Sequence, residues 1–356
     1  MDDKQHVFAN RGGLQRDSSI ELFRILATFM VLVVHFTGWF VGGVSDPFDA
    51  TKPLSFRIGQ TVIESLSVIC VNSFLIISGW FGIRLKFKSI WKLYLLLVFI
   101  YVPFYLCECI ALKQFSLPAL INNLLVFTRE SYFIQCYAVL MLLSPIINSF
   151  FEKYGRKSLI LVLALWAIEA FMENIVGNES LGINSGYSLV HFVLMYMLAR
   201  TAFLYKDKIV EVKRYRWLIG YFACAGIVCL LHLAGFSHTW DYSNPIVVIE
   251  AFCLFFVFLY KPFYNKAVNW IASSTLAVYI IHTTNPAYAA LVKLDSWLLE
   301  SLPYLPYLLS YLGVCVIVFI TSILYDKARL RLTSSITDKL YNKIAGIFKP
   351  LSVYER

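Results

Sequence analysis

Long apolar blocks separated by short polar segments run through almost the whole chain. A helix that crosses the hydrocarbon of a bilayer needs about 20 apolar residues. Strands of a membrane barrel would instead alternate polar and apolar residues over about ten positions, and these blocks do not alternate. The pattern therefore predicts an all-α, polytopic transmembrane helix bundle of about ten spans. The predicted spans are residues 20–41, 59–82, 90–112, 131–151, 158–176, 187–206, 217–236, 245–260, 269–292 and 304–325.

The two ends of the chain and one connecting segment have patterns of their own. Residues 1–19 are predicted to form a cytoplasmic tail before the membrane domain of residues 20–325. Residues 326–356 carry apolar side chains at helical spacing on one stripe, which is typical of a helix lying on the inner membrane surface. Residues 114–130 indicate a short interfacial helix. The apolar stripe of the tail consists of Leu332, Ile336, Leu340, Ile344 and Ile347.

The distribution of basic residues predicts the orientation, because Lys and Arg accumulate in cytoplasmic loops. Of the 31 in the chain, 25 lie in the terminal tails and in or beside every second connecting segment. Five lie in the other connecting segments, and Arg24 lies inside the first span. Both termini are therefore predicted to be cytoplasmic, in what we expect to be a bacterial cytoplasmic membrane.

Composition agrees with this interpretation. The chain is 59% hydrophobic and 15% charged, whereas soluble domains have about 25% charged residues. The basic inner face explains the net charge of +9, so the charge points to membrane lipid and to no nucleic-acid partner. All eight cysteines lie within predicted spans without a C-x-x-C pair. We interpret them as packing residues and expect no metal site.

The first span carries the densest set of ionisable residues. Such side chains are costly inside a bilayer and usually face the bundle interior, which makes them functional candidates. Arg24 and His35 are eleven residues apart, so they lie about 20° apart around an α-helix and about 16 Å apart along it. Glu21 precedes Arg24 by one turn on nearly the same face. One stripe therefore carries a carboxylate, a guanidinium and an imidazole.

Each of these residues also has a structural interpretation. Ser18 and Glu21 have the spacing of a capping box. Arg24 could extend to the lipid headgroups, and His35 could be a hydrogen-bonded packing residue. The same choice applies to His282 in the ninth predicted span, which could bridge two helices.

Other parts of the chain contribute weaker candidates. Ser78 and Gly79 end the second predicted span, where small residues allow either a close helix approach or room for a substrate. Glu64, near the other end of that span, is interpreted as interfacial. The remaining histidines show no partner pattern; they are His6, His191, His232 and His238.

Four segments of the sequence resemble motifs of the acyltransferase-3 family of membrane acyltransferases, of the glycan O-acetyltransferase type. The first, IELFRILATFMVLVVHF, has the family's Arg/Lys-x10-His spacing at Arg24 and His35. VNSFLIISGWFGI, YFIQCYAVLMLLSPIIN and STLAVYIIH resemble later motifs in the family's order. The resemblance covers roughly residues 18–335. It departs at Tyr132, where tryptophan is common, and at Trp80, where Phe or Tyr is usual.

The resemblance implies transfer of an acyl group, usually acetyl, from cytoplasmic acyl-coenzyme A to a hydroxyl of an extracytoplasmic or lipid-linked glycan. His35 is then the expected general base, because imidazole suits a hydroxyl near neutral pH. Arg24, oriented by Glu21, is expected to hold a phosphate or the pantetheine arm. The basic residues expected at the nucleotide are Arg84, Lys86, Lys88 and Lys92. The expected substrate pocket consists of Asn72, Ser78, Gly79, Tyr279 and His282.

Several alternatives stay open at this point. The acyl group could pass through an acyl-histidine intermediate, and the oxyanion donor could be Ser78 or His282. The four basic residues could simply reflect retention at the inner face. A secondary transporter or flippase for lipid-linked glycans would use the Glu21–Arg24–His35 stripe as a proton relay. Consumption of acyl-coenzyme A in proportion to product separates an enzyme from a transporter.

The asymmetry of basic residues makes a prediction about topology. In a variant whose native cysteines are replaced, Asn184→Cys should react with a membrane-impermeant maleimide in intact cells. Lys208→Cys should not react, because residues 206–214 are predicted to be cytoplasmic and 178–185 extracytoplasmic. Equal labelling at both positions would contradict the ten-span arrangement.

Overall fold

A computed structural model describes residues 16–40, 46–49, 51–126, 131–177, 182 and 184–345. Within these ranges every regular element is a helix and no strand is present, which confirms the all-α prediction. The helices are α1 (Ser18–Val34), α2 (Leu54–Ser67), α3 (Cys70–Phe81), α4 (Phe87–Leu112), α5 (Leu117–Leu124), α6 (Tyr132–Tyr154), α7 (Leu159–Phe171), α8 (Leu189–Leu204), α9 (Lys206–Glu211), α10 (Arg214–Leu233), α11 (Pro245–Val257), α12 (Lys266–Ala272), α13 (Thr275–His282), α14 (Asn285–Ser301) and α15 (Tyr304–Ala345). Short π-helical turns continue α1 at His35–Phe40 and α7 at Met172–Val176.

The described part of the chain contains six helical stretches that are long and apolar enough to cross a membrane. Two shorter helices, α8 and α11, are apolar as well. The protein is therefore a multi-pass membrane protein, while the number of ten spans and the side of each terminus stay predictions. The six stretches are Ser18–Gly38, Leu54–Phe81, Phe87–Leu112, Tyr132–Val176, Arg214–Leu233 and Tyr304–Lys343.

The stretch Tyr132–Val176 has room for two crossings. It contains 45 residues, which is about 68 Å of α-helix at 1.5 Å per residue, whereas the hydrocarbon core is about 30 Å thick. Gly155 ends α6 with a φ of 49°, a backbone conformation that favours glycine. The stretch is therefore long enough for both predicted spans, 131–151 and 158–176, with Gly155 between them.

The prediction of one continuous span over residues 269–292 is wrong. The region contains α12, α13 and α14, and α13 has only 8 residues, or about 12 Å of helix. The helix is interrupted just before Pro286, which has no N–H for a helical hydrogen bond. The hydroxyls of Thr283 and Thr284 donate to carbonyls of the preceding turn. Interrupted helices in membrane proteins occur where they line a cavity. The interruption here follows His282, the last residue of α13.

The C-terminal tail continues the last span without a break. α15 has 42 residues, so residues 326–345 belong to the same helix as the last predicted span, and their position on the membrane surface stays a prediction. The far half of α15 packs against the beginning of α4, where Lys88 lies 3.8 Å from Asp338 and Phe87 stacks on Tyr341. Members of the predicted apolar stripe are exposed at Leu332, Ile336 and Leu340.

Some predictions fall partly on residues outside the described ranges. α5 forms the short helix that was expected between the third and fourth spans, but residues 127–130 of that segment are not described. The same holds for residues 1–15 of the N-terminal tail and residues 346–356 of the C-terminal tail.

Helices α3 and α8 approach each other closely at Gly79. A Cβ atom on Gly79 would lie 2.5 Å from the carbonyl oxygen of Tyr196 and 2.6 Å from the Cβ of Ala199. Small residues permit such close approach between helices in membranes. Gly79 therefore serves the packing of these two helices.

We expect Gly79→Ala to lower the melting temperature of the purified protein. The added methyl group has no room between α3 and α8, and overpacking a tight contact costs about 1–3 kcal/mol. Gly226→Ala on α10 is the matched control, because no atom lies within 4 Å of its added Cβ. Equal melting temperatures of the two variants would contradict the role of Gly79 in packing.

Candidate active site

The start of α1 is fixed by a cap and by a contact with α12. The carboxylate of Asp17 accepts a hydrogen bond from the backbone N–H of Ser19 at 2.9 Å, so Asp17 is the N-cap. The hydroxyl of Ser18 instead donates to Oδ1 of Asn269 at 2.9 Å. The capping box considered for Ser18 and Glu21 is therefore not formed.

Glu21 and Arg24 lie together one turn farther along α1. Oε2 of Glu21 is 3.6 Å from Nη1 of Arg24. The carboxylate is buried, whereas 32% of the Arg24 side chain is exposed. The pair has the predicted spacing, and the buried carboxylate restricts where the guanidinium can point.

The two histidines of the candidate site are in direct contact. Nδ1 of His35 lies 2.7 Å from Nε2 of His282, and the ring centroids are 4.8 Å apart. His35 begins the π-helical turn that follows α1, and His282 is the last residue of α13. The structure thus brings together two residues that are 247 positions apart in the chain.

The partners of His282 determine which ring nitrogens carry protons. Nδ1 of His282 lies 2.6 Å from the carbonyl oxygen of Val278, which can only accept, so Nδ1 is the donor. In the neutral ring, Nε2 of His282 then accepts from Nδ1–H of His35. This assignment leaves the lone pair of His35 on Nε2, as a general base requires.

His35 lies in the wall of a cavity of about 940 Å³, which we call the histidine chamber. Aromatic and aliphatic side chains form more than half of its wall, and Glu64 and Asp241 are among its polar side chains. This combination of size and lining is typical of small-molecule sites. The aromatic side chains that line it are Tyr101, Tyr132, Tyr187, Trp240, Tyr242, Tyr279 and Tyr288.

Glu64 lines the histidine chamber, which differs from its interpretation as an interfacial residue. Only 6% of Glu64 is exposed. Its carboxylate accepts a hydrogen bond from the hydroxyl of Thr37, two residues beyond His35 on the π-helical turn. Sequence reasoning underestimated Glu64, although an ionisable residue within a predicted span was itself a signal.

Arg24 lies in the wall of a second cavity of about 230 Å³, which we call the arginine chamber. Arg16 and Ser78 also line it, and the rest of the wall is largely apolar. The hydroxyl of Ser78 is 3.1 Å from that of Tyr137. The residues that line both chambers are Val31, Val71 and Tyr279.

The remaining predicted site residues are not among the residues lining either chamber. Asn72 is fully buried, and Gly79 is in the contact with α8. The four basic side chains expected at the nucleotide are exposed, and one of them, Lys88, pairs with Asp338. Those four are Arg84, Lys86, Lys88 and Lys92.

A buried hydrogen-bonded chain, which sequence reasoning missed, holds the wall of the histidine chamber. Nε2 of His191 lies 2.9 Å from Oδ1 of Asn72, and Nδ2 of Asn72 donates to the carbonyl oxygen of Tyr242 at 2.8 Å. Nδ1 of His191 lies 3.1 Å from Oε1 of Glu169. Both ring nitrogens of His191 thus face oxygen atoms. Tyr242, which lines the chamber, is fixed through Asn72.

A search for metal sites and three comparisons with known proteins bear on this site. Within the described ranges no group of three or more His, Cys, Asp and Glu side chains is arranged to hold a metal ion. The family model of an acyltransferase domain, Acyl_transf_3, matches residues 17–327. A search of curated proteins and a search of solved structures each gave no match.

Proposed function

The chain belongs to the acyltransferase-3 family, and from that premise we propose that it transfers an acetyl group from acetyl-coenzyme A to a hydroxyl of a glycan. The observation that carries the site assignment is the contact of His282 with His35, which lines the histidine chamber. The chamber adjoins the arginine chamber, so the base and the guanidinium serve two substrates from neighbouring cavities.

His35 acts as the general base in this proposal. Its Nε2 takes the proton of the acceptor hydroxyl while the hydroxyl oxygen attacks the thioester carbonyl. The new C–O bond forms, the C–S bond breaks, and the proton passes from His35 to the sulfur of coenzyme A. His282 holds His35 in the required tautomer, in the way that a carboxylate orients the base of a serine protease.

Arg24 holds the donor in the arginine chamber. A guanidinium binds phosphate or amide oxygens well, and Glu21 limits its direction. The chamber of about 230 Å³ is smaller than the usual range of about 300–1,000 Å³ for ligand pockets. It therefore takes only the pantetheine end of the donor, and the nucleotide stays outside, where Arg84, Lys86 and Lys92 are exposed.

The histidine chamber holds the acceptor. Its volume of about 940 Å³ lies near the upper end of the usual range of about 300–1,000 Å³ for ligand pockets. Tyrosine and tryptophan combine an apolar face with a polar atom, which matches a sugar ring with its apolar face and hydroxyl rim. Glu64 and Asp241 add acceptors for sugar hydroxyls.

Substitution of either histidine tests the mechanism. His35→Gln should lower transfer by about 10²–10⁴-fold, because a general base typically contributes that much. His282→Ala should also lower transfer, but less, since His35 stays in place and loses only the partner of its Nδ1–H. The measurement is incorporation of a radiolabelled acetyl group from acetyl-coenzyme A into membrane acceptors. Near-parental transfer by His35→Gln would exclude its role as the base.

Substitution of Arg24 tests donor binding. Arg24→Ala should weaken binding of acetyl-coenzyme A to the purified protein, and Arg24→Lys should restore only part of it, because an ammonium cannot make two parallel contacts. Arg156→Ala is the control, since its guanidinium bonds the carbonyl of Leu204 instead. Unchanged affinity in Arg24→Ala would favour contact with lipid headgroups.

A further inference from the structure

Three side chains separate the arginine chamber from the histidine chamber. Val31, Val71 and Tyr279 line both cavities, of which one is lined by Arg24 and the other by His35. Val31 lies seven residues after Arg24 and four before His35, on the same face of α1. We name these three side chains the partition.

The partition is held firmly from three helices. Val31 on α1 is 4% exposed and Val71 on α3 is 6% exposed, and both are β-branched residues with restricted side-chain rotation. The ring of Tyr279 on α13 packs 5.2 Å from that of Phe133 and 6.1 Å from that of His282. A wall with this packing has little freedom to adapt to a larger group.

The acyl group must cross the partition if the proposed function holds. Arg24 holds the donor on one side, and His35 activates the hydroxyl on the other, about 16 Å farther along α1. The thioester carbonyl must therefore reach the histidine chamber past two valines and a tyrosine ring. We infer that Val31, Val71 and Tyr279 set the acyl specificity and admit only a short, uncharged acyl group.

The apolar character of the partition selects acyl groups by their charge as well as by their length. A carboxylate that enters a passage between two valines and a tyrosine loses most of its water and meets no positive charge among these three side chains, which is strongly unfavourable. Butyryl and succinyl chains have the same number of carbon atoms, but only succinyl carries a carboxylate. Widening the partition should therefore admit butyryl and still reject succinyl.

The test compares acyl-coenzyme A donors of increasing length. Membranes from a deletion strain of the source cell, which carry the native acceptor, receive the parent protein, Val31→Ala or Val71→Ala. Each is supplied with radiolabelled acetyl-, propionyl-, butyryl-, hexanoyl- or succinyl-coenzyme A. The parent should prefer acetyl to butyryl by more than tenfold, since one methylene in an apolar pocket typically changes rates by about 10–200-fold. Each alanine variant should reduce that preference at least tenfold without gaining succinyl transfer.

Val33→Ala is the matched control. Val33 lies on α1, is 4% exposed and is not among the residues that line either chamber, so this variant should keep the parent's preference. Val71→Ile adds one methylene to the partition and should increase the preference for acetyl over butyryl. An increased preference cannot result from a failure to fold, so this variant keeps the inference testable.

The outcomes separate this inference from the proposed function. If the parent transfers acetyl and hexanoyl groups equally, or if Val31→Ala and Val71→Ala keep the parent's preference, the partition does not set specificity. If the parent transfers no acyl group from any of these donors, the proposed function itself fails.

Discussion

The hydrogen bond between His35 and His282 connects two segments that each depart from a regular α-helix. α1 widens into a π-helical turn at His35, and α13 stops at His282. Irregular backbone is tolerated at membrane depth only where it is buried in protein or lines a cavity, and both segments line the histidine chamber. The cavity and the irregular helices therefore depend on each other.

The sequence predicts the helical class and most helix positions, because apolar length is a local property. It predicts the stripe of Glu21, Arg24 and His35 for the same reason, since residues on one helix have a known relative rotation. The prediction of a continuous ninth span was wrong, although the residues that indicate a break, two threonines and a proline at 283–286, are visible in the local sequence. The apolar length of residues 269–292 predicts one span, whereas those three residues predict an interruption.

Contacts between distant segments could not be predicted in this way. The pairing of His35 with His282 and the chain from Glu169 through His191 and Asn72 each join helices that are far apart in sequence. Asn72 illustrates the difficulty, because a polar residue in a span predicts a partner without identifying it. It was expected in the substrate pocket, and in the structure it contacts Tyr242, which lines the histidine chamber.

The length of α15 has a mechanical consequence. Its first turns reach the candidate active site, where the ring of Tyr311 stacks on that of Phe36, the residue after His35, at a centroid distance of 5.9 Å. Its last turns contact the start of α4 through Asp338 and Tyr341. An unbroken helix is stiff along its axis, so displacement of its far end is transmitted as a rigid tilt. The packing beside His35 and the contact with α4 are thereby connected through one helix over about 45 Å at 1.5 Å per residue.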